Sequence, residues 1–340
     1  MKLPKKIITI RDVAKAAGVS ISTVSKAMNG NPGMGEETRK RVLKAAKAVG
    51  FRRNDLAHAL HRGTSKTVGI VSSDNFGRFT MPIAAGLEME LSPHQISVFL
   101  CNATDDVELE KRHIAQLLAK RVDGLVFTAR RLDKRHTPSA DELGIPIVFA
   151  FSQGDNAEVP TLLPDDEQGA RLAVEHLVSL GHRRIAHITG PQHFEAVQRR
   201  SAGYRTAITK GRVGDYSQTL MGRWSEASGY DMARDLFAAG RDRPDAIFAG
   251  SDQIARGAME YLREHGISIP QDVSIIGFDN WEVMAEAVRP KLTTIDMNLN
   301  ALGAAAGNTL MRLMKGEIVK GIERLPCSLI VRESTRSRTQ

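Results

Sequence analysis

From residue 66 to residue 340 the chain alternates short aliphatic runs with stretches of helical period, and this alternation narrows the fold more than any other feature. Runs at 67–72, 96–101, 124–128, 145–150, 184–189, 246–249 and 274–277 have the length and composition of buried strands. Between them, stretches such as 107–119 and 167–180 repeat apolar residues at helical spacing. Strand and helix in alternation imply parallel sheets covered on both faces, because each parallel pair needs a crossover helix. The 275 residues exceed what one core serves comfortably, so two α/β lobes are expected. Aromatics make up only 5% of the chain, so those cores must be aliphatic and alanine-rich.

The first 65 residues have a different character. They hold fourteen Lys or Arg against four Asp or Glu, whereas the remainder holds 33 basic and 35 acidic residues. The whole net charge of +8 therefore originates in this segment, as expected of a polyanion binder attached to a near-neutral body. Its pattern is that of folded helices. Thr9 and Asp12 have the spacing of a capping box, Val13, Ala14 and Ala17 form one apolar face, and Gly18 can end the helix in the left-handed region. Ser20 can cap a second helix over 21–29, with Val24, Ala27 and Met28 inward and Ser22, Lys26 and Asn29 on the opposite face. A third helix, 36–49, would bury Val42, Ala46 and Val49 and expose Arg39, Lys40, Lys44 and Lys47. Helix, glycine turn and helix is the helix-turn-helix plan.

The run Thr9-Ile10-Arg11-Asp12-Val13-Ala14-Lys15-Ala16-Ala17-Gly18-Val19-Ser20, followed by Ser22-Thr23-Val24-Ser25, resembles the opening of LacI/GalR-type transcriptional regulators. The resemblance continues through Val122-Asp123-Gly124-Leu125, Gly181-His182-Arg183-Arg184-Ile185, Arg200-Ser201-Ala202-Gly203-Tyr204, Val273 to Asn280 and Leu292-Thr293-Thr294-Ile295. It implies an all-α helix-turn-helix head on an α/β, periplasmic-binding-protein-like body of two parallel-sheet lobes. The expected divisions are a head at 1–52, a hinge helix and linker at 53–65, a first lobe at 66–163 with 293–325, and a second at 164–292 with 326–340. The implied protein is a repressor of transcription that binds a near-palindromic duplex operator as a homodimer and responds to a small-molecule effector.

The same resemblance distributes roles. Ile21, Ser22 and Lys26 occupy base-reading positions; Lys26 can donate to guanine O6 and N7, and Ile21 can touch a thymine methyl. Thr9, Ser20, Thr23, Ser25 and Asn29 have short polar side chains suited to phosphate oxygens. Leu60 matches a leucine that wedges between base pairs, beside Ala57, although Arg53 stands where a proline is usual. In the body Arg200, Trp224 and Asp279 match effector-binding positions, and Phe79 and Ser251 fall at further cleft positions. An arginine fork, an aromatic face and a carboxylate together suit a ring with hydroxyl edges, so a sugar or sugar derivative leads and a nucleobase or other metabolite follows. Trp224 as a core residue, and an Arg200–Asp279 salt bridge between lobes, are the competing readings. Ala150 and Ala196 replace polar residues common in the family, which leaves the cleft short of partners.

Other classes find little support. Gly30-Asn31-Pro32-Gly33-Met34-Gly35 has the wrong spacing and context for a nucleotide loop, and His58 with His61 lacks further metal ligands. No cofactor, metal or catalytic centre is expected. No apolar run spans a membrane, the basic N-terminus lacks a signal peptide's apolar core, and Cys101 and Cys327 suit a reducing cytoplasm. The residues after Arg332 are too few for a leucine-heptad tail, which favours a dimer. A periplasmic sugar-binding protein and an effector-independent architectural DNA binder are the alternatives.

Overall fold

The computed structural model describes residues 8–29, 34–51, 64–136, 140–154, 158–213, 218–238 and 242–338. The chain divides into two compact units, Met1–Ser65 and Lys66–Gln340.

The first unit has three described helices, Ile10–Ala17 (α1), Ile21–Asn29 (α2) and Glu36–Ala48 (α3). At the start of α1 the Asp12 carboxylate accepts from the Thr9 N–H at 2.8 Å and from the Thr9 hydroxyl at 2.7 Å. Gly18 ends α1 at φ 64°, and its left-handed turn lets Val19 N–H donate to the Ala14 carbonyl. Val13, Val24 and Val42 are fully buried, closed round by Ala14, Ala17, Ala27 and Ala46. Val49, expected inside, is only half-buried, because α3 stops at Ala48 and Gly50 turns the chain away at φ 69°. Small side chains let the short helices approach closely, and each buried valine contributes roughly 1.5 kcal/mol or more.

The second unit begins with Thr67–Ser72 (β1), Thr80–Leu91 (α4), Ser97–Asn102 (β2), Val107–Ala119 (α5), Gly124–Thr128 (β3) and Arg135–His136 (β4). Ala140–Leu143 (α6), Ile147–Ala150 (β5), Gln153–Gly154 (β6), Thr161–Pro164 (β7), Asp166–Ser179 (α7), Ile185–Thr189 (β8) and Glu195–Lys210 (α8) follow. Then come Thr219–Met221 (β9), Glu226–Phe237 (α9), Ala246–Ala249 (β10), Asp252–Glu264 (α10), Ser274–Asp279 (β11) and Glu282–Ala285 (α11). Thr293–Asp296 (β12), Leu299–Met314 (α12), Ile322–Leu325 (β13) and Ser328–Ile330 (β14) complete it.

These strands form two six-stranded sheets, ordered β13-β7-β5-β3-β1-β2 and β14-β12-β11-β10-β8-β9, and a small β4-β6 ribbon. Every pairing is parallel except that of β12 with β14. All residues of β3, β5, β8 and β10 are buried, as strands covered by helices on both faces must be. Helices α4 and α12 cross so closely that a Cβ on Gly86 would strike the Asn300 carbonyl oxygen, and one on Gly303 that of Ile83.

The strand register corrects one boundary. Residues from 293 onward were expected in the first lobe, yet Thr293 pairs with Ile276 and β12 lies in the second sheet. The chain crosses only after Asp296, since α12 packs on α4 and β13 pairs with β7. A four-residue strand carries no local mark of the sheet it will join; the distant β11 decides that.

Candidate DNA-binding face and ligand cleft

On the first unit, the start of α2 is the exposed, chemically mixed surface. Ile21 is 46% exposed although apolar, and Ser22 and Lys26 beside it are exposed. Ser20 precedes the helix, and its hydroxyl accepts from the Thr23 N–H at 3.1 Å, which satisfies one of the unpaired amides of the first turn. That oxygen also lies 2.8 Å from the hydroxyls of both Ser22 and Thr23, so the three form one polar cluster. Thr9 is exposed and Ser25 half-buried. Asn29 ends α2, with its side chain outside the described residues, where Arg53, Ala57 and Leu60 also lie. On α3, Arg39, Lys40, Arg41, Lys44 and Lys47 are all exposed.

On the second unit, ligands of parallel α/β folds bind beyond the carboxyl ends of the strands. There, β11 ends at Asp279 and β12 at Asp296, and both line a cavity of about 770 Å³. Phe76, Arg78 and Phe79, from the loop between β1 and α4, line it from the first lobe. Asp279 itself has φ 113°, a backbone conformation that residues with a Cβ seldom adopt and that strain-bearing sites often hold.

Arg200 anchors the charges beneath. It is 4% exposed; its Nε donates to Asp166 Oδ1 at 2.7 Å and its Nη1 donates to the Gly250 carbonyl at 2.5 Å. Nη1 also lies 3.6 Å from Asp279 Oδ1, and the guanidinium sits 3.7 Å from the Phe278 ring centroid. Asp166, Asp252 and Asp279 thus share one buried region with Arg200. Burial raises the Asp166 carboxyl against the pull of Arg200. Burial, reinforced by the Asp279 charge, pushes Asp252 up to about 8. Asp252 accepts from the Thr294 hydroxyl at 2.5 Å and from the Trp281 N–H at 2.7 Å. Burial raises Asp279 also, against the opposing pull of Arg78 and Arg200.

The expected cleft residues divide into two groups. Phe79 and Asp279 line the cavity; Arg200, Trp224 and Ser251 do not. Trp224 is half-buried 5.8 Å from the Arg200 guanidinium, its ring over Gly190, where a Cβ would collide with it. The Ser251 hydroxyl caps α10, accepting from the Ile254 N–H at 3.2 Å. Phe79 stacks on Phe151 with centroids 4.7 Å apart. Ala150 is wholly buried and Ala196, on α8, is partly buried, both against one apolar cluster that draws on the two lobes. Arg200 and Asp279 come from the same lobe. At this cavity the charge that crosses between lobes is Arg78, whose Nη2 donates to Asp279 Oδ2. Arg78 carried no signal in the sequence, because its partner is 201 residues away. Elsewhere Gln153 and Arg324 of the first lobe donate to Glu195 of the second at 2.6 and 2.7 Å.

Comparison with known proteins places both units. Residues 9–54 match the lacI family of bacterial regulatory proteins, and residues 174–335 match the periplasmic binding protein-like domain. The chain is 32% identical to Catabolite control protein A of Priestia megaterium over 97% of its own length and 99% of the relative's. The chain belongs to the lacI family. The Lactose operon repressor of Escherichia coli is another relative, 31% identical over 97% of this chain and 91% of its own. A solved lac repressor dimer, bound to operator and the anti-inducer ONPF, superposes with a TM-score of 0.81 at 30% identity, covering 97% of this chain and all of that one. A transcriptional regulator CelR–cellobiose complex gives 0.64 at 29% identity over 96% and 99%. For this lacI-family chain, the first match includes every head residue assigned to DNA, from Thr9 to Asn29. The second includes Arg200, Trp224, Ser251 and Asp279 but begins after Phe79 and Arg78.

Proposed function

We propose that this chain is a dimeric, sequence-specific DNA-binding repressor whose operator affinity is set by a small molecule held between the lobes, with a sugar or sugar derivative as the leading class. The exposed first turn of α2 carries the DNA half of the reading. An apolar Ile21 left in solvent next to Ser22 and Lys26 has the chemistry of base edges and methyl groups, while the basic face of α3 suits phosphates. Thr9, Ser20, Thr23, Ser25 and Asn29 position the head on the backbone, and Leu60 with Ala57 wedges the minor groove. The cavity at the strand ends, lined by aromatic faces and carboxylates, supports the effector half.

Met89 on α4, and Phe99 and Leu100 on the edge strand β2, are exposed apolar side chains suited to being covered by a second copy of the chain. A two-fold dimer carries two heads and calls for a near-palindromic site. Such a regulator works in the cytoplasm, where the chromosome is. No helix among the described residues is long and apolar enough to cross a membrane.

A nucleobase effector is the second reading, favoured by the Phe79 and Trp281 rings at the cavity. One relative, 31% identical over 96% of this chain and 98% of its own length, is the HTH-type transcriptional repressor PurR of Vibrio vulnificus. Selection of bound duplexes from a random pool tests the DNA half: one palindromic consensus supports it, and sequence-indifferent binding refutes it. A thermal-shift screen of sugars against nucleobases decides the effector class.

A further inference from the structure

Arg78 is held as a bound ligand is held. Its guanidinium carbon lies 4.9 Å from the Phe79 ring centroid and 4.4 Å from that of Trp281, so the cation sits between two aromatic rings. Its Nη2 donates to Asp279, its side chain is only 15% exposed, and its buried Nε has no partner. Phe79 and Arg78 belong to the first lobe, Trp281 and Asp279 to the second. Trp281 is itself fixed by the bond from its N–H to Asp252.

The two arginines on Asp279 are not equivalent. Arg200 keeps Asp166 and the Gly250 carbonyl whatever Arg78 does. Among the described residues Arg78 has Asp279 as its one ion-pair partner, and it borders the cavity of about 770 Å³ into which its side chain could withdraw. Arg78 is therefore the exchangeable member, and Asp279 retains a counter-charge when it leaves.

We propose that Arg78 is an intramolecular occupant of the effector seat: it bridges the lobes through Asp279 and Trp281, and the effector binds by exchange with it. This rests on the reading of the cleft as the effector site. The exchange selects for a ring that brings donors, hydroxyl or amine, to Asp279 and a flat face to Trp281. An anionic ring gains nothing from displacing Arg78 and meets a carboxylate behind it.

The test uses the full-length protein and does not need the effector. Arg78→Ala empties a seat shaped for a guanidinium, so ethylguanidinium is the probe. The variant should melt several degrees below wild type, and millimolar ethylguanidinium should restore it saturably and change tryptophan fluorescence. Wild type, and the double variant with Asp279→Asn, should show neither response. Arg78→Met, which fills the stem without the charge, should be destabilised with no rescue, and it keeps the test open should the alanine variant fold poorly. A wild-type melting temperature in Arg78→Ala without saturable binding overturns the proposal. So does equal ethylguanidinium binding by the double variant. A compound found by screening wild type should bind Arg78→Ala at least tenfold more tightly; weaker binding makes Arg78 a ligand contact and refutes exchange. Should no sugar or nucleobase bind wild type, the effector reading fails while the ethylguanidinium result still judges Arg78.

Discussion

Lys40 with Glu36 on the head, and Arg200 with Asp166 beneath the cleft, join the same two kinds of charge in opposite settings. The first pair is 3.2 Å apart with side chains 77% and 81% exposed; the second is 2.7 Å apart with side chains 4% and 0% exposed. The contrast runs through both units. Among its described residues the head buries small apolar groups and keeps its basic side chains in water, where they can meet a partner. The cleft buries its charges and pairs them with one another, so a ligand must compete with bonds already made. Binding groups on the head are thus separable from stability, and those of the cleft are not.

Arg200→Ala should break the contrast most visibly. It strands Asp166 and leaves Asp279 with one arginine, both in the interior, at a cost of about 3–5 kcal/mol. Chemical denaturation of the full chain measures this. A loss under 1 kcal/mol would mean that the buried network is not the framework described. Failed effector binding by this variant would not by itself make Arg200 a ligand contact, because its contacts already hold the cleft together.

Lys26→Ala should do the reverse. Lys26 is exposed on α2, so the melting temperature should hold. Base preference at one half-site position should relax, with discrimination reduced by about 1–3 kcal/mol. Equal weakening across all duplexes in a binding competition would reassign Lys26 to phosphate.

What was legible in the sequence follows the same division. The head is built from local rules: a cap at Thr9, a left-handed Gly18, and apolar residues at helical spacing from Val13 to Ala46, each pairing within a few turns. Body strands at 67–72, 124–128 and 246–249 were equally plain, since an aliphatic run covered on both sides declares itself. Membership was not. Thr293–Asp296 reads as a strand in either sheet, and only its pairing with β11 assigns it. Arg78 lies in a loop of no evident pattern and acquires its meaning from Asp279 and Trp281, brought near by the fold. The seat of Ser251 as a helix cap was equally hidden by its match to a cleft position.

Asp252 separates the two settings by pH. Its carboxyl is raised in the folded chain to about 8, first by burial and then by Asp279, whereas an unfolded aspartate has its ordinary value of 3.8. A raised acid contributes stability that is fully present below the unfolded value and is lost as pH rises through the folded one. Wild type should therefore lose stability between about pH 4 and pH 8 or slightly above, where most proteins are level. Asp252→Asn keeps the shape without the ionisation and should flatten that slope. A slope unchanged in the variant would place the proton elsewhere in the network.

The smallest effect should come from Lys40→Ala. An exposed i,i+4 pair gains little Coulomb energy in water, must order two long side chains, and is screened by salt, so its worth is about 0.3–0.5 kcal/mol. Alanine also has the better helix propensity, which offsets part of even that. The melting temperature of the variant should lie within a degree or two of wild type and converge on it in high salt, where wild type loses the attraction. Arg200 and Lys40 each sit within hydrogen-bond reach of a carboxylate. If their removal cost comparable amounts, burial would not be what distinguishes the cleft from the head, and the barrier to ligand exchange would have to come from packing rather than charge.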